Sequence, residues 1–209
     1  MKKIFLTILI ICFFITGCSN DTSKKNSSYS ASRTSENNYT NSNNNNISIN
    51  NIQEEKKEEI ELSSFSTKIY TPNDSARQNN ITITCSKLNG IVIKSGETFS
   101  FCNTVGKATP EAGYQKADIF DKNGNTIKGY GGGNCQISST LYNAVLAIPS
   151  LVVIERHEHS KKVYYVPQGK DAAVAYGSID FKFRNDNNFS IKIYASNTRD
   201  NIFVKIVQI

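Results

Sequence analysis

Histidine is nearly missing from this 209-residue chain: it has two, and no CxxC or HExxH spacing accompanies them. The usual zinc signatures are therefore absent. Long apolar runs are equally scarce. One uncharged stretch, Ile4 to Ile15, stands at the start, and it falls short of the ~20 apolar residues that span a bilayer. A glycine-rich loop is present, yet it lacks the Lys-Ser/Thr pair that reaches the phosphates in a nucleotide-binding loop. No internal repeat is visible.

What the chain does have begins at its first residue. Met1-Lys2-Lys3 is a basic region, Ile4 to Ile15 an apolar one, and Ile15-Thr16-Gly17-Cys18 closes it. This order is that of a secretory signal, and its end resembles the bacterial lipobox, in which the cysteine becomes an acylated N-terminus. Residues 1–18 are thus expected to export the chain. Lipid on Cys18 would anchor it to the outer face of the cell membrane, since several acyl chains hold stably where one binds reversibly. That location excludes nucleic acid as a partner. The net charge of +6, less the two lysines of the signal, suits an anionic wall or membrane surface.

From residue 19 to 61 the chain is Asn, Ser, Thr, Lys and Glu, with little to bury. Such a composition cannot offset its own ordering entropy, so a disordered tether is expected. Its end-to-end distance as a coil would be about 35 Å. Residues 62–209 are long enough for one domain with a core. Ile81, Cys85 and Leu88 have helical spacing within residues 77–89. Ile137, Leu141, Ala144, Val145 and Ile148 form an apolar stripe on a helix that starts near Cys135 and stops before Pro149. Strands are expected at 66–70, 91–93, 98–101, 119–120, 151–154, 163–166, 172–175, 179–183, 191–194 and 203–207, with a turn at Asn123-Gly124. The pattern predicts an α+β fold: one cysteine-bearing helix packed on a mainly antiparallel β-sheet.

Five cysteines meet different fates. Cys12 leaves with the signal and Cys18 is acylated, so Cys85, Cys102 and Cys135 remain. An odd number in an oxidising compartment leaves at least one free thiol, and Cys85 can pair with Cys102. Cys135 lies in Gly129-Tyr130-Gly131-Gly132-Gly133-Asn134-Cys135-Gln136-Ile137-Ser138-Ser139. Glycines there permit unusual backbone conformations and close approach of a ligand. A helix starting at Cys135 places free N–H groups and a positive dipole end near the sulfur, which favours thiolate, the reactive form. The N–H groups can also hold an oxyanion. A buried structural cysteine beside a glycine turn is the plain alternative.

Both histidines lie in Glu155-Arg156-His157-Glu158-His159-Ser160. On an extended strand, His157 and His159 share a face. Cysteine acyl-transfer enzymes use a cysteine at a helix start with a histidine on a following strand. A surface His-x-His, or zinc held by His157, His159 and Cys135, are the alternatives. Asp171 and Asp180 are candidates to orient the imidazole, with Asp171 ranked first.

These segments, together with Gly96-Glu97-Thr98-Phe99-Ser100-Phe101, Val105-Gly106, Gly113-Tyr114, Ser138-Ser139-Thr140-Leu141-Tyr142-Asn143-Ala144 and Gly169-Lys170-Asp171-Ala172, resemble the VanW family over residues 62–209. The family is named for a vancomycin-resistance gene cluster and is extracytoplasmic. Some members are reported as peptidoglycan L,D-transpeptidases that use the cysteine of Gly-Gly-Gly-x-Cys-Gln. The resemblance implies Cys135 as nucleophile and His159, ahead of His157, as base. It further implies peptidoglycan stem peptides as the partner, with no cofactor and no metal. Gly131, Gly132, Gly133, Asn134, Gln136 and Ser138 would form the oxyanion and substrate-binding wall, and Arg156 or Lys161 would bind a stem carboxylate. A cysteine peptidase of the wall and a non-catalytic peptidoglycan-binding protein are the rival readings. The chain departs from the family pattern at Cys102, where Asn is usual, and at Asn134, where Ile is common.

Overall fold

The structure, a computed structural model, describes residues 58–121 and 123–209. The expected export segment 1–18 with Cys18, and the tether through residue 57, lie outside the described residues. Strand β1 (Ile60–Lys68) comes first; it takes in Ile60 and Glu61, expected as tether, and stops two residues before the end of the strand expected at 66–70. The Asp74 carboxylate then caps helix α1 (Ser75–Leu88) by accepting from the Arg77 N–H at 2.9 Å. Strand-like Ile81-Thr82-Ile83-Thr84 is helical there because Ile81, Cys85 and Leu88 can be buried together on one face.

Strands β2 (Ile91–Ile93) and β3 (Thr98–Ser100) follow. The pattern predicts strand through Phe101, but the Ser100 hydroxyl accepts from the Asn103 N–H and starts the short helix α2 (Phe101–Val105) instead. Strands β4 (Ala117–Phe120) and β5 (Thr126–Gly129) form a hairpin across Asn123-Gly124. Its turn is fastened by the Asp121 carboxylate, which accepts from the N–H groups of Asn123 and Asn125. Helix α3 (Asn134–Leu146) comes next, then β6 (Leu151–Glu155), β7 (Lys182–Asn185), β8 (Ile191–Asn197) and β9 (Asn201–Gln208).

All strand pairs are antiparallel, as expected for this α+β fold, but they divide into a four-stranded sheet β1-β9-β8-β2, a three-stranded sheet β3-β7-β6 and the β4-β5 hairpin. Helix α3 packs on β1 and β9, and α1 lies against β8 and α3. Two expected strands fail and a third starts late. Residues 163–166 form no ladder, although Val163 and Val166 are buried. Residues 172–175 make only single bridges, Ala173 to His157 and Ala175 to Ile179, and β7 begins at Lys182 rather than 179. The apolar content of residues 163–166 and 172–175 reflects burial without membership of a sheet.

Helix α3 is the centre of the molecule. Its apolar stripe is buried as predicted, and so are Gln136, Ser138, Ser139 and Thr140 on its polar side. Each of these makes hydrogen bonds there; Thr140, for example, pairs with the Thr67 hydroxyl of β1 at 2.8 Å. No helix among the described residues is long and apolar enough to cross a membrane.

Candidate functional site

The glycine turn sets up the site by bringing three backbones together. Gly133 caps α3 with φ +113, a conformation costly for any other residue, and a Cβ there would meet Ile81 of α1 at 2.7 Å. A Cβ on Gly132 would stand 2.8 Å from both the Ala117 Cβ and the Asp118 carbonyl oxygen of β4. These glycines are required by the approach of α1 and of the hairpin, not by that of a ligand. Gly132→Ala is expected to lower unfolding free energy by about 1–3 kcal/mol, the usual cost of overpacking, read from urea denaturation. An unchanged midpoint would contradict this account of the turn.

Cys135 follows in the first turn of α3. Its sulfur lies against the Val174 backbone, accepting from that N–H at 3.5 Å and offering the thiol proton to the carbonyl at 3.4 Å. His159 lines the same groove, close enough for the sulfur to act on its pKa. The His159 Nδ1 meets the Asp171 carboxylate at 2.6 Å, and the same oxygen accepts from the His159 backbone N–H at 2.7 Å. With Nδ1 so engaged, Nε2 is the ring nitrogen left for the sulfur. The imidazole edges onto Phe120 and Tyr165, each with centroids 6.4 Å away. Its side chain is 7 % exposed.

Arg156 supports this pair from behind. Its guanidinium donates to the Asp171 carboxylate at 2.9 Å and to the Asp171 carbonyl at 2.6 Å, contacts Glu158, and lies over the Tyr142 ring. Burial works to lower the His159 pKa, but the hydrogen bonds and charges of Cys135 and Asp171 outweigh it, and the pKa is raised. For Asp171, burial works upward and is overcome by the hydrogen bonds and charge of His159, so its pKa is lowered.

The sign of each shift gives a pH profile. Stability from a raised His159 is complete below its ordinary 6.5 and is lost as pH climbs through the folded value. Stability from a lowered Asp171 is present above its ordinary 3.8 and is lost as pH falls through the folded value. The pair therefore contributes most between those two values. The difference in melting temperature between the wild type and His159→Asn is expected to be largest in that window and to shrink on both sides. A difference that grows toward alkaline pH would contradict the ion pair.

Several sequence-predicted residues do other work. His157 does not share His159's surroundings: its Nε2 meets Glu155 at 3.0 Å and its side chain is 43 % exposed. Residues 156–160 form no regular strand, so the alternation that would have aligned the two rings is absent. Asp180 does not orient an imidazole, because it accepts from the Ser100 hydroxyl and from the N–H groups of Cys102 and Phe181. Arg156 points inward to Asp171 rather than to a substrate carboxylate. Asn134 accepts from Thr84, and Ser138 donates to the Cys135 and Ala172 carbonyls, so both join structural elements. Among the described residues no group of three His, Cys, Asp or Glu side chains is placed to hold a metal ion.

The proposed oxyanion donors shift as well. The N–H groups of Asn134 and Gln136 are taken by the carbonyls of Gly131 and Gly133. Among the described residues no backbone carbonyl accepts from the N–H of Gly133 or Cys135, which leaves these two at the helix start. Cys85 and Cys102 are free thiols rather than a disulfide. Burial pushes both up to about 12, with Asp180 adding to the rise at Cys102, so neither is a nucleophile near neutral pH.

Cys135 and His159 open into a groove of about 860 Å³. Exposed Tyr70, Phe120, Tyr130, Tyr164 and Tyr176 line it, whereas exposed Phe203 does not. Arg77, Phe120, Tyr165 and Val174 belong to this site, yet no motif marks them in the sequence. Tyr165, whose pKa is raised by burial, sits in a tyrosine pair that composition alone does not distinguish from surface.

Comparison with known proteins adds to the geometry. Residues 76–207, which include Cys135, His159, Asp171 and Arg156, match the family model for VanW like protein. The chain is 40% identical over 126 residues to YoaR, an uncharacterized protein of Bacillus subtilis (strain 168), covering 60% of this chain and 41% of that one. It is 36% identical over 122 residues to the vancomycin B-type resistance protein VanW of Enterococcus faecalis (strain ATCC 700802 / V583), covering 56% of this chain and 44% of that one. The chain thus matches less than half the length of these curated relatives. No solved structure matches it significantly.

Proposed function

The chain belongs to the VanW-like protein family, and from that premise and the site geometry we propose that it is a cell-wall L,D-transpeptidase with Cys135 as nucleophile. The reading also places it outside the membrane, anchored by lipid on Cys18 and linked to the glycopeptide-resistance setting of its enterococcal relative. One observation supports it: Cys135 and His159 line one open groove, and the His159 Nδ1 meets the Asp171 carboxylate at 2.6 Å, the order that a nucleophile, its base and an orienting carboxylate require.

The Cys135 sulfur attacks the carbonyl between residues three and four of a stem peptide while His159 takes the thiol proton. Asp171 fixes the ring tautomer and stabilises the imidazolium. The N–H groups of Gly133 and Cys135 receive the oxyanion. Collapse breaks the peptide bond, and His159 returns its proton to the departing D-alanine amine. The side-chain amine of residue three on a neighbouring stem then attacks the thioester. It gives up a proton to His159 and releases Cys135, leaving a 3–3 cross-link. No cofactor takes part.

The test is mass spectrometry of tetrapeptide muropeptides after incubation with the purified protein. A 3–3 dimer supports the reading. Tripeptide without dimer would make water the acceptor and the protein a peptidase. Unchanged muropeptides would contradict both and leave a binding role.

A further inference from the structure

We infer that Arg77 forms an anion subsite beside the nucleophile, which takes the free α-carboxylate of the residue that leaves. The inference rests on the reading of Cys135 as attacking a peptide carbonyl, and it adds what the groove recognises on the leaving side. Arg77 lies in the first turn of α1, where Asp74 fixes its backbone N–H. That turn touches the glycine turn: a Cβ on Gly133 would stand 3.7 Å from the Arg77 carbonyl oxygen. Both residues line the groove.

The guanidinium is held in place without being neutralised. Its Nη2 donates to the Gln136 side-chain oxygen at 2.9 Å. Gln136 is 2 % exposed and cannot turn away, because its Nε2 donates to the Lys68 carbonyl at 2.9 Å and to the Thr67 hydroxyl at 3.2 Å. The neutral amide therefore orients the cation, and among the described residues the rest of its N–H fork has no partner. Elsewhere Arg156 and Arg184 each meet a carboxylate; among the described residues Arg77 meets none. The Asp74 carboxylate, nearest along the chain, is turned to the helix end it caps. A planar fork, fixed at one corner and open at the others, suits bidentate binding of a carboxylate. Within the proposed reaction that group is the carboxylate of the terminal D-alanine. Its recognition selects stems that end one residue past the attacked carbonyl over longer or amidated ones.

The experiment compares alkylation of Cys135 by iodoacetate and by iodoacetamide, reagents alike except for the carboxylate, in the full protein. In Arg77→Gln the ratio of the two rates is expected to fall on the order of tenfold, the size of one charge-assisted contact. Arg77→Lys should restore part of it, and Arg184→Gln, whose guanidinium pairs with Asp186 outside the groove, should leave it unchanged. An unaltered ratio in a folded Arg77→Gln protein would overturn the subsite. Should that variant not fold, the wild type still decides: N-acetyl-D-alanine is expected to protect Cys135 from iodoacetamide where its amide does not. Equal protection, or none from either, counts against the inference. These readouts need no turnover, so anion selectivity without a 3–3 dimer would remove the transpeptidase reading and keep the subsite. A dimer formed equally well from amidated stems would do the reverse.

Discussion

Cys135→Ala is expected to form no 3–3 dimer above background, a loss of on the order of 10⁴-fold or more, as when any catalytic nucleophile is removed. The size follows from what the sulfur does in the account: it forms the bond that holds the acyl group, and no neighbour can replace it. Cys102 also lines the groove, but burial and Asp180 hold it as a thiol, pushed up to about 12. Folding should be little affected, since the sulfur's contacts with the Val174 backbone are long, 3.5 and 3.4 Å, and His159, its other neighbour, stays held by Asp171. Circular dichroism melts alongside the muropeptide assay check both halves. An active Cys135→Ala protein would remove the nucleophile from the account.

Asp171→Asn should be nearly as damaging for a different reason. The carboxylate oxygen that meets the His159 Nδ1 also accepts from its backbone N–H, so it sets the tautomer and the ring position at once. An amide can present an N–H there, invert the tautomer and leave Nε2 unable to accept the thiol proton. The rate is expected to fall by about 10³–10⁴-fold. Stability should fall too, by about 1–3 kcal/mol, because Arg156, only 16 % exposed, keeps Glu158 and the Asp171 carbonyl but loses its buried carboxylate partner. Asp180→Asn supplies the contrast. It disturbs the Ser100 hydroxyl and the start of α2, so it should lower stability while leaving the pH dependence of the rate in place. Equal kinetic effects from the two variants would show that Asp171 acts only through the fold.

The elements that were legible in the sequence are those whose periodicity answers to one environment. Helix α3 showed through its apolar stripe, and β8 and β9 through alternation on a sheet with one buried face. What escaped was structure set by a second environment. Val163, Val166 and Ala172 look like strand residues because they are buried, but they are buried outside any ladder, Val163 at the groove and Ala172 in the core. The hydroxyls of Ser138, Ser139 and Thr140 look solvated, yet they hold the 171–172 segment and β1 against α3. The nucleophile and the histidine pair were visible as motifs. Which histidine faces the sulfur depends on the irregular path of residues 156–160, which no alternation rule describes. Arg156 and Arg77 could not be told apart by type: one points at Asp171 and the other into the groove, and only three-dimensional packing separates them.

The central claim is a covalent acyl group on Cys135, and intact-protein mass spectrometry tests it most directly. Wild type incubated with a disaccharide tetrapeptide and quenched in acid should carry an adduct equal to the substrate less one alanine. After proteolysis that adduct should map to the peptide containing Cys135, and Cys135→Ala should lack it. Dimer formed with no adduct at any quench time, or an adduct mapped to Cys85 or Cys102, would contradict the account.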